Sequence, residues 1–202
     1  MKSAERSFDD LIKIMALLRS PSGCPWDREQ THHSLKRYLI EEAYEVVDAI
    51  EKGDITHLKE ELGDLLLQVI FHSQIASEAK QFNIDDIIRD LVLKLKRRHP
   101  HVFSDVEVSS ADEVMIHWER IKGEEKERSL LAGVPKSLPA LLYSFIVQGK
   151  ARQVGFDWEK AEDIFEKLSE EVVEFKEACL VGGDIENEIG DLLFTIVNIA
   201  RH

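Results

Sequence analysis

Apolar residues recur along most of this chain at the spacing of one helix face. Phe8, Leu11, Ile12, Met15 and Leu18 follow the i, i+3, i+4, i+7 pattern, which predicts a helix over 7–19 with Ser7 as its N-cap. Pro21, Gly23 and Pro25 break that pattern. Leu35, Leu39, Ala43, Val46, Val47 and Ile50 predict a second helix over 34–52, stopped by Gly53-Asp54. Leu58, Leu62, Leu65, Leu66, Val69 and Ile70 predict a third, from about 56 to 80. A fourth is expected from about 84 to 98, with Asn83 as its cap and Asp85 and Asp86 where the helix dipole favours anions. His99-Pro100 ends it. The stretch 104–137 is polar, with one more helix expected around Val114 and Trp118. Helices resume at about 139–152, 160–180 and 185–200. No segment alternates like a strand between hairpin turns. The expected fold class is all-α.

The pattern also repeats. Glu41-Glu42-Ala43-Tyr44-Glu45 precedes Glu61-Leu62-Gly63-Asp64-Leu65-Leu66. Glu170-Glu171-Val172-Val173-Glu174 precedes Glu188-Ile189-Gly190-Asp191-Leu192-Leu193. Trp26-Asp27 and Asp157-Trp158 lie upstream of the two copies, which are offset by about 128 residues. One helical unit therefore occurs twice. We place the first over 1–128, including a linker helix, and the second over 129–202, incomplete at its C-terminal end.

Spacing places the acids. Glu42 and Glu45 are three apart and share a helix face, as do Glu61 and Asp64. A tight turn at Gly53 makes their helices antiparallel neighbours. Glu42 and Asp64 each lie 11 residues from Gly53, and Glu45 and Glu61 each lie 8. Four carboxylates then meet at two adjacent levels. In the second copy Glu171 and Asp191 each lie 10 residues from Val181, and Glu174 and Glu188 each lie 7. Two like charges at ~4 Å repel by roughly 4 kcal/mol at an effective dielectric near 20. Such a cluster must protonate, splay into solvent or bind cations. Hard oxygen donors without histidine or cysteine select Mg²⁺, with Mn²⁺ as a substitute. Mg²⁺ commonly completes its shell from substrate phosphates, which points to phosphate-ester chemistry. The alternative is a solvated acidic helix pair. A di-iron carboxylate bundle needs Glu-x-x-His on two helices. Glu29 and His32 fit that spacing once, outside the mirrored set.

Composition narrows the partners. With 26 basic and 39 acidic residues the formal charge is −13. That counts against nucleic-acid polymers, whose phosphates need cations, and against anionic membranes. Two cysteines, Cys24 and Cys179, make neither a disulfide framework nor a zinc pattern, which fits a reducing compartment. The first residues lack the apolar core of a signal peptide, and no apolar run is long enough to span a bilayer. A cytoplasmic protein is expected. The charge run from Glu124 to Arg128 reads as a solvated face or linker.

With these residues in view the chain resembles the MazG family of nucleoside triphosphate pyrophosphohydrolases. Gly23-Cys24-Pro25-Trp26-Asp27 and the two EExxE–ExGD sets carry the likeness. So do Arg97-Arg98-His99-Pro100-His101, Trp118-Glu119-Arg120-Ile121-Lys122, Ser137-Leu138-Pro139 and Val154-Gly155-Phe156-Asp157-Trp158. The resemblance implies Mg²⁺-dependent hydrolysis of an NTP or dNTP to monophosphate and pyrophosphate, a homodimer, and a role in nucleotide house-cleaning. It implies metal ligation by Glu42, Glu45, Glu61 and Asp64, and by Glu171, Glu174, Glu188 and Asp191. Glu41 and Glu170 are the candidates to orient or deprotonate the attacking water. Lys167 matches a substrate-contacting lysine of the family. Lys59, Arg97 and Arg98 are further candidates for the phosphates, although Arg97 and Arg98 also suit a helix C-terminus. Trp26 and Trp158 are candidates to stack on a base, though packing is the commoner use. His72 reads as a core or interface histidine. The second copy lacks the arginine-bearing helix that follows in relatives, so its phosphate ligands are expected to be incomplete unless a partner subunit supplies them. The competing class is a non-catalytic, nucleotide-binding or regulatory helical interaction protein.

Overall fold

The computed structural model describes residues 7–104, 106, 108–124, 131 and 133–202. Among these there are helices and no strand, in keeping with the all-α expectation. The chain divides into two compact units that part after Val108. The first contains α1 (Phe8–Leu18), α2 (Pro25–Glu29), α3 (Lys36–Lys52), α4 (Ile55–Glu78), α5 (Ile84–Arg98) and α6 (Pro100–Phe103). The second contains α7 (Ala111–Glu124), α8 (Ala140–Arg152), α9 (Ala161–Val181) and α10 (Ile185–Arg201). The sequence boundary at 128 assigned α7 to the first unit; the compact units group it with the second. Residues 125–128 of the charge run lie outside the described residues.

In the first unit α3 and α4 form an antiparallel hairpin, and α1 and α5 pack on α4. Ser7 caps α1 in a reciprocal box with Asp10, as its N-cap role requires. The hairpin turn is two residues long. Gly53 closes α3 at φ 66°, a left-handed conformation that glycine adopts without penalty. Asp54 then caps α4 by accepting from the Thr56 and His57 amides. Met15, Leu35, Ile70 and Phe71 form the buried core, flanked by Leu11, Tyr38, Leu67 and Ile75.

Gly23 tucks under the end of α1. A Cβ there would meet the Leu18 and Leu17 carbonyl oxygens at 2.2 and 2.3 Å. The break at 20–25 therefore has a steric reason beyond turn chemistry. Pro25 not only ends one pattern but starts α2, where its missing N–H costs nothing. Neither α2 nor α6 was foreseen, because one turn of helix carries no periodicity.

In the second unit α9 and α10 form the equivalent hairpin, and α8 packs on α10. Gly182 turns the chain at φ 82°, and Asp184 caps α10 through the Asn187 amide. His72 does not enter the core. It stacks on His32, with ring centroids 5.1 Å apart and Nδ1 atoms 2.7 Å apart. Burial, then the neighbouring ring, lowers its pKa.

Candidate active site

Each hairpin brings three carboxylates together. Glu42 and Glu45 project from α3 and Glu61 from α4, with one oxygen of each within 4.8 Å of the others. Glu171 and Glu174 from α9 meet Glu188 from α10 under the same limit. These are six of the eight acids that the mirrored spacing selects. The tight triads omit Asp64 and Asp191. Aspartate is one methylene shorter than glutamate, so its oxygens stay nearer their own helix. Asp64 still raises the pKa of Glu42 and Glu61 through its charge. Asp191 accepts a hydrogen bond from Asn187 Nδ2 at 3.1 Å.

The electrostatics follow from crowding acids at partial burial. Burial raises the pKa of Glu42, and Asp64, Glu45 and Glu61 raise it further. Glu61 is buried, and its pKa rises through desolvation and then the Glu45 charge, with His57 opposing. His57 Nε2 sits 2.7 Å from Glu61 Oε1. In the second cluster burial raises Glu174, followed by repulsion from Glu171. Glu171 is buried too. Its Oε1 lies 2.9 Å from Lys167 Nζ, while its Oε2 has no hydrogen-bond partner. Lys167 also donates to Glu170 at 2.8 Å, and both bonds raise the lysine pKa.

This donor set fits a hard divalent cation. Each triad is all oxygen and flexible in reach, and a buried carboxylate oxygen of Glu171 lacks any other partner. The two clusters differ in charge. Lys167 partly neutralises the second, whereas the position matching it in the first is Tyr38.

The remaining candidates are placed less closely. Glu41 is exposed on α3, and its charge bears on Arg37. Glu170 is tied to Lys167. Lys59 is exposed on α4, and Arg97 and Arg98 occupy the last turn of α5. Trp26 packs edge-on against Tyr38 and Phe71, with ring centroids 6.0 and 6.5 Å away, so it belongs to the core margin. Trp158 lines a cavity between α8 and α10 that no triad residue touches. Sequence reasoning missed His57 and Asn187. Both stand four residues before an acid of the set, a spacing that puts them on its helix face.

Known proteins resemble this chain in sequence. The MazG nucleotide pyrophosphohydrolase domain matches residues 30–103, which contain the first cluster. The nucleoside triphosphate pyrophosphohydrolase/pyrophosphatase MazG of Thermotoga maritima is 50% identical over 204 residues, covering 100% of this chain and 78% of its own length. The nucleoside triphosphate pyrophosphohydrolase of Escherichia coli K12 is 44% identical, covering 96% of this chain and 78% of its own length. One from Mycobacterium tuberculosis is 44% identical over 149 residues, covering 72% of this chain and 45% of its own length. An identity of one half across all of this chain, together with paired carboxylate hairpins, places it in the MazG family of nucleotide pyrophosphohydrolases.

Proposed function

We propose that this chain hydrolyses nucleoside triphosphates, ribo or deoxy, to the monophosphate and pyrophosphate in a Mg²⁺-dependent reaction. The observation that carries the reading is the doubled carboxylate triad on mirror-spaced helical hairpins. The names of the relatives support the substrate class. Glu42, Glu45 and Glu61, with Asp64 beside them, would hold metal in the first cluster. Glu171, Glu174 and Glu188, with Asp191, would do so in the second. Mn²⁺ has the same donor preference. When bound, the ion supplies positive charge for the phosphoryl oxygens and lowers the pKa of a water.

The chain's own groups do the rest. The water oxygen bonds to a phosphorus of the α–β linkage, the bridging P–O bond breaks, and pyrophosphate departs. Glu41 or Glu170 orients the water and accepts its proton. Glu170 must first release Lys167, which then turns to a phosphate oxygen. Lys59, Arg97 and Arg98 are the other cations assigned to the phosphate tail. We further propose a cytoplasmic homodimer acting in nucleotide house-cleaning. Ile40, Tyr44, Val47 and Ile50 are exposed along α3, an apolar stripe of the kind that an interface between copies covers. No helix of the described residues is long and apolar enough to cross a membrane.

The test is pyrophosphate release from a panel of NTPs and dNTPs, with Mg²⁺ and with EDTA. Monophosphate and pyrophosphate in equal amounts, only with metal, are expected. Paired variants E42Q/E45Q and E171Q/E174Q assign the working cluster. Full activity in both would sink the carboxylate site. No product from any nucleotide would favour a non-catalytic nucleotide-binding or regulatory protein.

A further inference from the structure

Each triad contains one buried carboxylate, Glu61 in the first and Glu171 in the second. A buried carboxylate needs a hydrogen-bond donor or a cation. Both have a nitrogen donor four residues before them. Lys167 Nζ lies 2.9 Å from Glu171 Oε1, and Glu171 Oε2 is buried without a partner. His57 Nε2 lies 2.7 Å from Glu61 Oε1. One oxygen of each buried acid is thus held by a side chain outside its triad.

The two donors are built differently. Lys167 is a flexible cation that Glu170 also holds. His57 belongs to the first turn of α4, where Asp54 Oδ1 accepts from its backbone amide at 3.0 Å. An imidazole on two rotatable bonds also loses less freedom than a lysine when it is held in one place. The hairpin makes room for the ring. His57 and Ala49 each lie four residues from Gly53, so they share the next level towards the turn from Glu45 and Glu61. Ala49 is small and fully buried. In the second hairpin that level carries Ala178 and Asp184, each three residues from Val181. Asp184 is engaged in capping α10, and its carboxylate has no N–H to give. A side-chain donor at this level therefore belongs to the first hairpin. The atoms that gather within 4.8 Å come from Glu42, Glu45 and Glu61, and no His57 nitrogen is among them. His57 stands behind Glu61 rather than inside the triad.

We infer that His57 is a positioning residue of the first cluster. Its Nε2–H donates to Glu61 Oε1, fixes the rotamer of that carboxylate and leaves the other oxygen to a divalent cation. This deepens the proposed metal-dependent reaction and rests on that reading. A donor behind a ligating carboxylate is worth about 10–100-fold in metal affinity.

Mn²⁺ titration of the full chain by electron paramagnetic resonance tests this. E171Q/E174Q isolates the first cluster, and E42Q/E45Q isolates the second. In the first background His57→Leu should weaken Mn²⁺ binding by roughly tenfold or more. His57→Gln places an amide nitrogen the same number of bonds from Cα as Nε2. Its affinity should stay closer to the parent than to the leucine variant. In the second background His57→Leu should leave the affinity unchanged. The electron spin echo of Mn²⁺ in the first cluster should show no coupling to a histidine nitrogen. Circular dichroism confirms that each variant is folded, and His57→Ala replaces His57→Leu if the latter is not.

Four outcomes overturn the inference. The first is parent affinity in a folded His57→Leu chain. The second is a glutamine variant as weak as the leucine one. The third is equal weakening of both clusters, which makes His57 a general support of the fold. The fourth is a histidine nitrogen coupling, which makes it a ligand. Mn²⁺ binding that ignores position 57 removes only this inference. No Mn²⁺ binding in E171Q/E174Q removes the first carboxylate site, and this inference with it.

Discussion

At the scale of single residues, crowding carboxylates at partial burial costs stability. Glu42, Glu61 and Glu174 all have pKa values above the ordinary glutamate value of 4.5. A carboxyl whose folded pKa is raised favours the fold most when protonated. Its contribution is fully present below the unfolded value and is lost as pH rises through the folded one. In EDTA, E42Q should therefore melt a few degrees above the parent at pH 8 and close to it at pH 5, while losing metal-dependent activity. A lower melting point for E42Q at pH 8 would contradict the repulsion argument. Asp157 has the opposite sign. The hydrogen bond from Arg201 holds its pKa below the ordinary 3.8, so its contribution is present at neutral pH and fades in acid. Removing Arg201 leaves the Asp157 carboxylate only Arg152 and the Trp158 amide, and R201A should cost about 2 kcal/mol in urea unfolding at pH 7, the scale of a hydrogen bond to a charged group. The cost should shrink towards pH 3.

At the scale of elements, the hairpins make the site, and glycines make the hairpins. Gly53 needs its positive φ but has open space around its Cβ position, whereas Gly23 has an ordinary φ and no space. G53A should cost about 1 kcal/mol, the backbone penalty alone. G23A forces α1 away from the 23–29 segment and should cost at least about 2 kcal/mol, the scale of overpacking. Equal costs in denaturant titrations would mean that the close approach at Gly23 relaxes freely. The long helices α3, α4, α9 and α10 were readable because periodicity accumulates over 17 to 24 residues. The short α2 and α6 start on proline at N1, which a periodic pattern does not register.

At the scale of the whole molecule, two clusters on one chain predict two cation sites. Mn²⁺ titration monitored by electron paramagnetic resonance should count two sites in the parent. It should count one in E42Q/E45Q and one in E171Q/E174Q. Saturating Mg²⁺ should also raise the melting temperature, because a ligand at 100 times its Kd adds ~2.7 kcal/mol to the folded state. Unchanged stoichiometry in both variants would move the metal elsewhere. The net charge of −13 predicts no measurable binding to duplex DNA at physiological salt.

Chain order alone carried the helical class and six of the acids that meet, because hydrophobic period and distance from a turn can be read along it. It also carried the family likeness through its ordered motifs. Only tertiary structure decided which acids close into triads, because reach depends on side-chain length and on what else holds the carboxylate. The sequence contains His57 and Lys167, but pairing with Glu61 and Glu171 is a matter of rotamer and burial. The cavity lay furthest from view. Gln148 and Arg201 are 53 residues apart and share no motif. They face one cavity only because α8 packs on α10.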